Sequence, residues 1–371
     1  MKICHVSDSH LGAGENHPRR GESGLTLRQE DIIDSFTRAV DAIIALRPDL
    51  CIHSGDLFHT VRPSNRIMAL AGEQLYRLAE ENSIPTVIIS GNHDAPKQPH
   101  IGAALDVFEY IDNLHIAAGT QLKAFQIGQA KILALPHCLT AQSLKEQLVL
   151  CRPDPDFKYN ILVLHGVVAG MPEFSMADLG EQEFPVELME RFDYVALGHY
   201  HNQTQVASRA WYAGSTDRLS QAERDVAKGF AEIHLEPFEV LFHAVRCRDM
   251  VSLDVIDASG MRGDQLAAII QEKVSRLDSR DKIVRLKIEG VSEESLKTLP
   301  VGVISSLKQK SFSLDIAFEK EKSDDAAASF GRSAIGRLDE GFVKFLDTVD
   351  LKGFDKEWLR TEGLKYLSSE D

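Results

Sequence analysis

A layered α/β fold is what this 371-residue sequence predicts, and three observations predict it. Up to about residue 235, apolar runs of strand length alternate with amphipathic stretches of helical length. Polar segments rich in Asp, His and Asn follow several of the apolar runs, as ligand loops follow the strands of an α/β sheet. Beyond residue 245 a smaller strand–helix alternation begins, without such segments.

The elements follow in order. Residues 2–6 are an apolar run ending before Ser7. Residues 29–46 place Ile32, Ile33, Phe36, Val40, Ile43 and Ile44 on one helical face. Pro48 and Asp49 break that helix, and 50–53 is the next strand. Pro63 suits a first helical turn, continued through Ile67, Leu70, Ala71, Leu75 and Leu78 to about Asn82. Residues 86–90 and 161–164 are strand-like. Pro185 starts a helix before the strand 194–197, and 210–213 and 230–235 look like closing strands. This first, larger part is thus assigned to 1–244. In 245–320 a strand at 251–256, a helix at 261–277, a strand at 282–288, a helical stretch interrupted by Pro300 and Gly302, and a strand at 312–318 predict a small β-α-β-α-β domain. Residues 321–332 read as a linker. Residues 333–371 return to helical spacing, with Ile335, Leu338, Phe342, Phe345, Leu346 and Val349.

Composition narrows the class. A hydrophobic content of 43% and a charged content of 26% are those of a globular chain. No apolar stretch approaches the roughly 18 residues of a membrane span, and Ser7–Asp8 come too early for a signal peptide. The 5 cysteines are widely spaced without a Cys-x-x-Cys pair, which points to a reduced, cytoplasmic chain. The net charge of −15 argues against an extended basic nucleic-acid surface, so any such surface is local.

The polar segments carry the chemistry. They are Asp8–Ser9–His10, Gly55–Asp56, Gly91–Asn92–His93–Asp94, His165–Gly166 and Gly198–His199–Tyr200–His201. Any one has a bland explanation: a lone His after a strand is more often a core or capping residue, and Gly-Asp is often a turn. Their joint occurrence, each behind an apolar run, points to a metal pair. Asp8, His10, Asp56 and His201 suit one divalent ion. Asp56, Asn92, His165 and His199 suit the other, with the two Asp56 oxygens bridging. Mixed nitrogen and oxygen donors favour manganese, iron or zinc over magnesium or calcium, and two such ions are a device for in-line displacement at phosphorus. His93, beside a ligand, is the candidate general acid. Asp94 either orients it or caps a turn. His59 is a candidate phosphate contact or second acid. His17, Arg19 and Arg20, in the polar stretch 14–26, either touch a substrate phosphate or lie in a solvated loop. His5, His53, His115 and His234 have no such context.

These residues resemble the signature of the calcineurin-like metallophosphoesterase superfamily. Asp8–Ser9–His10–Leu11–Gly12 and Gly55–Asp56–Leu57–Phe58–His59 are similar to the first two motifs of DNA double-strand-break repair nucleases of the SbcD kind. Gly214–Ser215–Thr216, Arg218–Leu219–Ser220, Glu223 and Lys228–Gly229–Phe230 resemble that family's closing segment. Asp217, where a hydrophobic residue is expected, and Thr216, where Pro is common, depart from it. The resemblance covers most of the chain. It implies a layered metallophosphoesterase sandwich, a small α/β capping domain at 245–320 and a C-terminal helical segment that docks on an SMC-like ATPase of the SbcC type. For the last, a helix packed on its own domain is the competing reading. It also implies a homodimer, for which Ile101, Leu105 and Phe108 are candidates, and a manganese-dependent exonuclease and single-strand endonuclease acting on DNA. A small-molecule phosphodiesterase or phosphoprotein phosphatase, which the acidic charge favours, and a non-catalytic DNA-end scaffold are the alternatives.

Overall fold

The computed structural model describes residues 1–98, 101–170, 182–321, 342, 346 and 355–361. It divides into two compact units. The first comprises Met1–Asp254, Ala268–Leu286 and Val301–Ala317. The second comprises Val255–Ala267, Lys287–Pro300 and the described residues from Phe318 onward.

The first unit carries the predicted sandwich. The chain enters through β1 (Lys2–Val6), β2 (Leu50–His53), β3 (Thr86–Ile89) and β4 (Leu114–Ala117), a parallel run in that spatial order. A second sheet begins with β5 (Lys123–Ile127), β6 (Ala130–Ala134) and β7 (Tyr159–His165). After a short pair, β8 (Val167–Val168) and β9 (Glu183–Phe184), it is completed by β10 (Tyr194–Gly198), β11 (Thr204–Ala207) and β12 (Ala210–Tyr212). Its order is β11-β12-β10-β7-β6-β5. The chain then returns to the first sheet through β13 (Lys228–Leu235), antiparallel to β1, and β14 (Phe238–Val245). Successive side chains in a strand face opposite sides, which builds the layers. Ile3, Leu50, Ile52, Val87 and Ile89 of the first sheet meet Ile132, Ile161, Val163 and Ala196 of the second. Cys4, Val6, Cys51 and Ile88 face outward onto helices. This is the αββα order expected of two sheets that bury their inner faces on each other.

The flanking helices are set by their ends. Helix α1 (Leu27–Leu46) starts on a capping box, with Thr26 Oγ1 accepting from Gln29 N–H at 3.1 Å and Gln29 Oε1 accepting from Thr26 N–H at 3.0 Å. It stops at Arg47, whose φ of +48° cannot continue a right-handed helix. Helix α2 (Asn65–Tyr76) begins after Ser64, not at Pro63, and passes into a π-helical turn at Arg77–Glu81. On the second sheet, α3 (Ala141–Leu148) and the four-residue α4 (Val186–Met189) complete the outer layer. Strands β4, β5, β6 and β14 and helix α3 have no counterpart in the sequence reading. In β5 and β14 most residues are at least partly exposed, so neither gives a strong apolar signal.

Later in the chain β15 (Asp249–Asp257), α5 (Gly263–Ser275), β16 (Lys282–Val291), α6 (Glu293–Thr298), α7 (Val301–Lys310) and β17 (Ser313–Lys320) follow in the predicted β-α-β-α-β sequence, with the helical stretch broken at Leu299–Pro300. The three strands form one sheet. The predicted linker lies outside the described residues except Glu321, and so does most of 333–371. Of the positions named there, Leu346 is buried and Phe342 half-buried; Trp358, further on, is exposed.

One expectation is corrected. Leu105 and Phe108, candidates for a dimer surface, are buried in the core beside α1 and α2. Their neighbours Val107 and Tyr110 are exposed instead, as is Ile101. The departure at Asp217 also has a physical reason. Its buried carboxylate accepts from Arg28 Nη2 at 2.7 Å and Ser35 Oγ at 2.6 Å, tying the closing segment to α1.

Candidate metal centre

Each polar segment leaves the C-terminal end of a parallel strand: β1, β2 and β3 in one sheet, β7 and β10 in the other. The backbone there is under strain. Asp8 (φ +50°), His10 (+45°), Asp56 (+54°) and His199 (+101°) all sit in the left-handed region. For non-glycine residues such a conformation costs of order 1–3 kcal/mol each and persists only where the surroundings impose it. Here a ladder imposes it: Asp8 N–H donates to Gly55 O (3.1 Å), His10 N–H to Asp56 O (3.0 Å) and Leu11 N–H to Leu57 O (2.8 Å). Glycine is required at position 91, where a Cβ would stand 2.2 Å from Asp56 Oδ1.

The seven predicted ligands come together. Asp56 Oδ2 lies 3.6 Å from His10 Nε2 and 3.3 Å from His165 Nε2. One oxygen therefore faces both halves. The other oxygen, Oδ1, accepts the His93 amide at 2.9 Å. On one side His10 Nε2 and His201 Nε2 are 3.2 Å apart, and Asp8, His10 and His201 group their donor atoms within 4.8 Å of one another. On the other side Asn92 Oδ1 is 2.9 Å from His165 Nε2 and 3.2 Å from His199 Nδ1.

The far nitrogens decide what the near ones offer. His165 Nδ1–H donates to Ser54 O at 2.9 Å, and His201 Nδ1–H donates to Glu223 Oε1 at 3.3 Å. Both rings are thereby fixed with Nε2 directed inward, the posture of metal-binding imidazoles once that nitrogen is deprotonated. Ring nitrogens and carboxylate oxygens packed this closely need positive charge among them, a proton on His165 or a metal in its place, and the mixed nitrogen and oxygen donors fit divalent metal. Burial opposes charge on both Asp56 and His165, but their mutual attraction wins. The carboxylate is held well below its ordinary range and the imidazole is raised to about 9. Burial outweighs the pull of Asp56 on His10 and keeps that ring neutral.

Glu223 was legible only as part of a familiar segment, with no role. It holds His201 and is itself held by buried Lys228, whose Nζ lies 2.6 Å from Oε2 and donates to His201 O at 2.7 Å. Burial resists the charge on Glu223, yet these partners bring its pKa down to about 2.

The candidate acids sit on the His10 flank. His93 Nδ1–H donates to His59 O at 3.1 Å, and its ring packs edge-on against His10 with centroids 4.7 Å apart. His59 stacks on His93 at 5.2 Å and places Nδ1 3.3 Å from His10 Nδ1, so it also braces a ligand. The orienting role expected of Asp94 is corrected. Its buried carboxylate accepts from Gly91 N–H (2.7 Å) and Phe58 N–H (3.2 Å), which is the turn-capping alternative. Burial first, then Asp56, raises Asp94 to about 7. In the loop after β1, His17 Nε2 donates to Phe312 O at 3.1 Å and Arg19 Nη2 to Ser311 O at 2.7 Å, so both are engaged within the protein. Arg20 is exposed, with Nη1 donating to Gly24 O at 2.9 Å.

Comparison with known proteins follows from this geometry. The chain is 30% identical over 226 residues to the DNA double-strand break repair protein Mre11 of Sulfurisphaera tokodaii, covering 60% of this chain and 55% of that protein. It is 30% identical over 232 residues to the protein of the same name from Methanococcus maripaludis, covering 60% and 59%. To that from Sulfolobus acidocaldarius it is 25% identical over 304 residues, covering 78% and 75%. The match thus spans little more than half the length of the first two relatives. Among solved structures, a glutamine-dependent NAD+ synthetase from Acinetobacter baumannii aligns with a TM-score of 0.32 at 12% identity, over 99% of this chain and 71% of its own, too weak a likeness to carry an argument. The profile of the calcineurin-like phosphoesterases matches residues 1–203, more than half of the sequence and all seven ligand positions, and the chain belongs to that family.

Proposed function

We propose that this protein is a divalent-metal-dependent DNA nuclease, an exonuclease at double-strand ends and an endonuclease on single strands, acting in repair with an SMC-like ATPase. One observation carries the hydrolytic part: two donor groups from two sheets converge on Asp56 Oδ2, with His93 beside them. Asp8, His10, Asp56 and His201 would hold one ion and Asp56, Asn92, His165 and His199 the other; the mixed donors suit manganese, iron or zinc, and the similarity to nucleases of the SbcD kind favours manganese. When bound, the ions supply charge neutralisation at the phosphate and a nucleophile from water at neutral pH.

The chain's own residues do the rest. His93, anchored through Nδ1, has Nε2 free to protonate the departing 3′ oxygen. His59, stacked on it, keeps the acid in place and offers its remaining nitrogen to the phosphate. The identity of the substrate rests on the named DNA-repair relatives and on the similarity to nucleases of the SbcD kind. Arg20 is the cation of the 14–26 loop best placed to meet a DNA phosphate. Dimerisation is assigned to the exposed Ile101, Val107 and Tyr110, and partner docking to 333–371. The net charge of −15 favours a second reading, a small-molecule phosphodiesterase.

The test is manganese-dependent hydrolysis of three substrates: an end-labelled linear duplex, a bis-aryl phosphodiester and an aryl monoester. Cleavage of the first two and not the third is expected. Hydrolysis of the monoester without cleavage of DNA would make the protein a phosphatase.

A further inference from the structure

Two residues beside the centre have no part in the mechanism above. Lys97 follows the Asn92 loop. It is exposed, its Nζ donates to Asn92 O at 3.1 Å, and no carboxylate pairs with it among the described residues. Other lysines of this acidic chain are ion-paired, among them Lys131, Lys158, Lys228, Lys282, Lys287 and Lys320.

His137 lies in the loop after β6, the strand next to β7. Its backbone N–H donates to Ser90 O at 3.0 Å, two residues before Asn92. The ring is half-buried. Nδ1 is shut off from water, and among the described residues neither Nδ1 nor Nε2 has a hydrogen-bond partner. A buried N–H without a partner is rarer than a buried lone pair without one. The ring therefore keeps its proton on Nε2, which leaves a directional donor. Burial above all, then His165 and Lys97, lowers its pKa to about 4, and Asp56 and His199 act on it as well. His137, tied by its backbone to the strand end that carries Asn92, thus presents an N–H donor, and Lys97, bonded to Asn92 O, is an unspent positive charge on the same side.

We propose that Lys97 and His137 form a subsite for the backbone phosphate next to the scissile one, on the Asn92 side. This rests on the nuclease reading. A phosphodiester anion offers only acceptor oxygens. An ammonium provides charge and an imidazole N–H provides direction, which is what such a group needs from side chains. The scissile phosphate has His93 and His59 on the opposite flank. A compact aryl diester has one phosphate and leaves the subsite empty, whereas a polynucleotide fills it.

The full chain with manganese would be assayed on bis(p-nitrophenyl) phosphate and on a labelled single-stranded oligonucleotide, as wild type, Lys97→Ala, Lys97→Arg and His137→Ala. In each alanine variant, kcat/KM for the oligonucleotide relative to the aryl diester should fall about tenfold, the loss of one charge-assisted or neutral–anion hydrogen bond. The fall should lie in KM, and Lys97→Arg should recover most of it. Lys97 is at the surface, so its variant remains informative even where His137→Ala fails to fold. Equal losses on both substrates would overturn the proposal by moving the residues into the metal shell, and so would unchanged oligonucleotide cleavage. Wild type active on the aryl diester but inert on the oligonucleotide would instead bring down the nuclease reading, and the subsite with it.

Discussion

Asp56 and His165 form an ion pair that a metal must break. The imidazole, raised to about 9, holds a proton at neutral pH when no cation is present, and a ligand must be deprotonated to bind. Below that pKa the proton and the metal compete, so affinity rises with pH until about 9. Manganese titrations at pH 7 and pH 8 should differ by about tenfold in Kd, with one proton released per binding event. Equal affinities would mean that His165 is not a ligand. Glu223 makes a second case. Its bond to His201 Nδ1 fixes that ring, and Glu223→Gln should weaken manganese binding about 10–100-fold, the usual cost of an outer-shell partner, as read by calorimetry. The convergence of the candidate ligands was legible because Asp, Asn and His together have little other reason to follow five buried strands. Glu223 lay hidden, since its role depends on a contact across 22 positions of sequence. Asp94 was ambiguous, because a carboxylate next to a histidine and one capping a turn read alike.

The strands are held in register by bonds between layers as well as within them. His5 of β1 reaches across to the other sheet. Nδ1 is bonded to Tyr194 of β10 at 2.8 Å, and Nε2 to Ser54 Oγ at 2.8 Å. Burial, then His53, pushes its pKa down to about 3. A folded pKa below the unfolded value means that this neutral histidine stabilises the protein above about 6.5 and that the stability is lost as pH falls toward 3. Between pH 7 and pH 5 the loss is about 2 kcal/mol. In denaturant titrations of the metal-free protein, His5→Gln should fall less than wild type over that interval. An identical fall would show that His5 titrates normally. At this level the sequence was read unevenly. Buried strands such as β2, β3 and β10 announce themselves as apolar runs. Strands β5 and β14 have sides open to water, and only pairing with β6 and β13 makes them strands. The same limit explains Leu105 and Phe108, since an apolar stripe is equally consistent with a core and with an interface.

The protein as a unit is acidic, at −15, and is read as acting on a polyanion. That contrast sets a measurable expectation. On the nuclease reading its hold on DNA would come from the centre and a few cations rather than from an extended basic face. With two phosphates neutralised, affinity should fall about tenfold between roughly 50 and 200 mM salt, against a thousandfold or more for six or more contacts. Anisotropy titrations of a labelled oligonucleotide measure that slope, and a steep one would contradict binding through a few cations alone. The layered fold was readable from the sequence because its strands are short, buried and separated by amphipathic helices. The later β-α-β-α-β segment was readable in outline for the same reason.

The decisive measurement is manganese-dependent cleavage of an end-labelled linear duplex by wild type and by His93→Ala, with bound manganese determined for both. The proposed mechanism predicts cleavage by wild type, an unchanged metal content in the variant, because His93 is outside both donor groups, and a loss of cleavage of about a hundredfold or more, as for a missing general acid. Cleavage unaltered by the substitution would contradict it, and so would a loss that tracks a loss of metal.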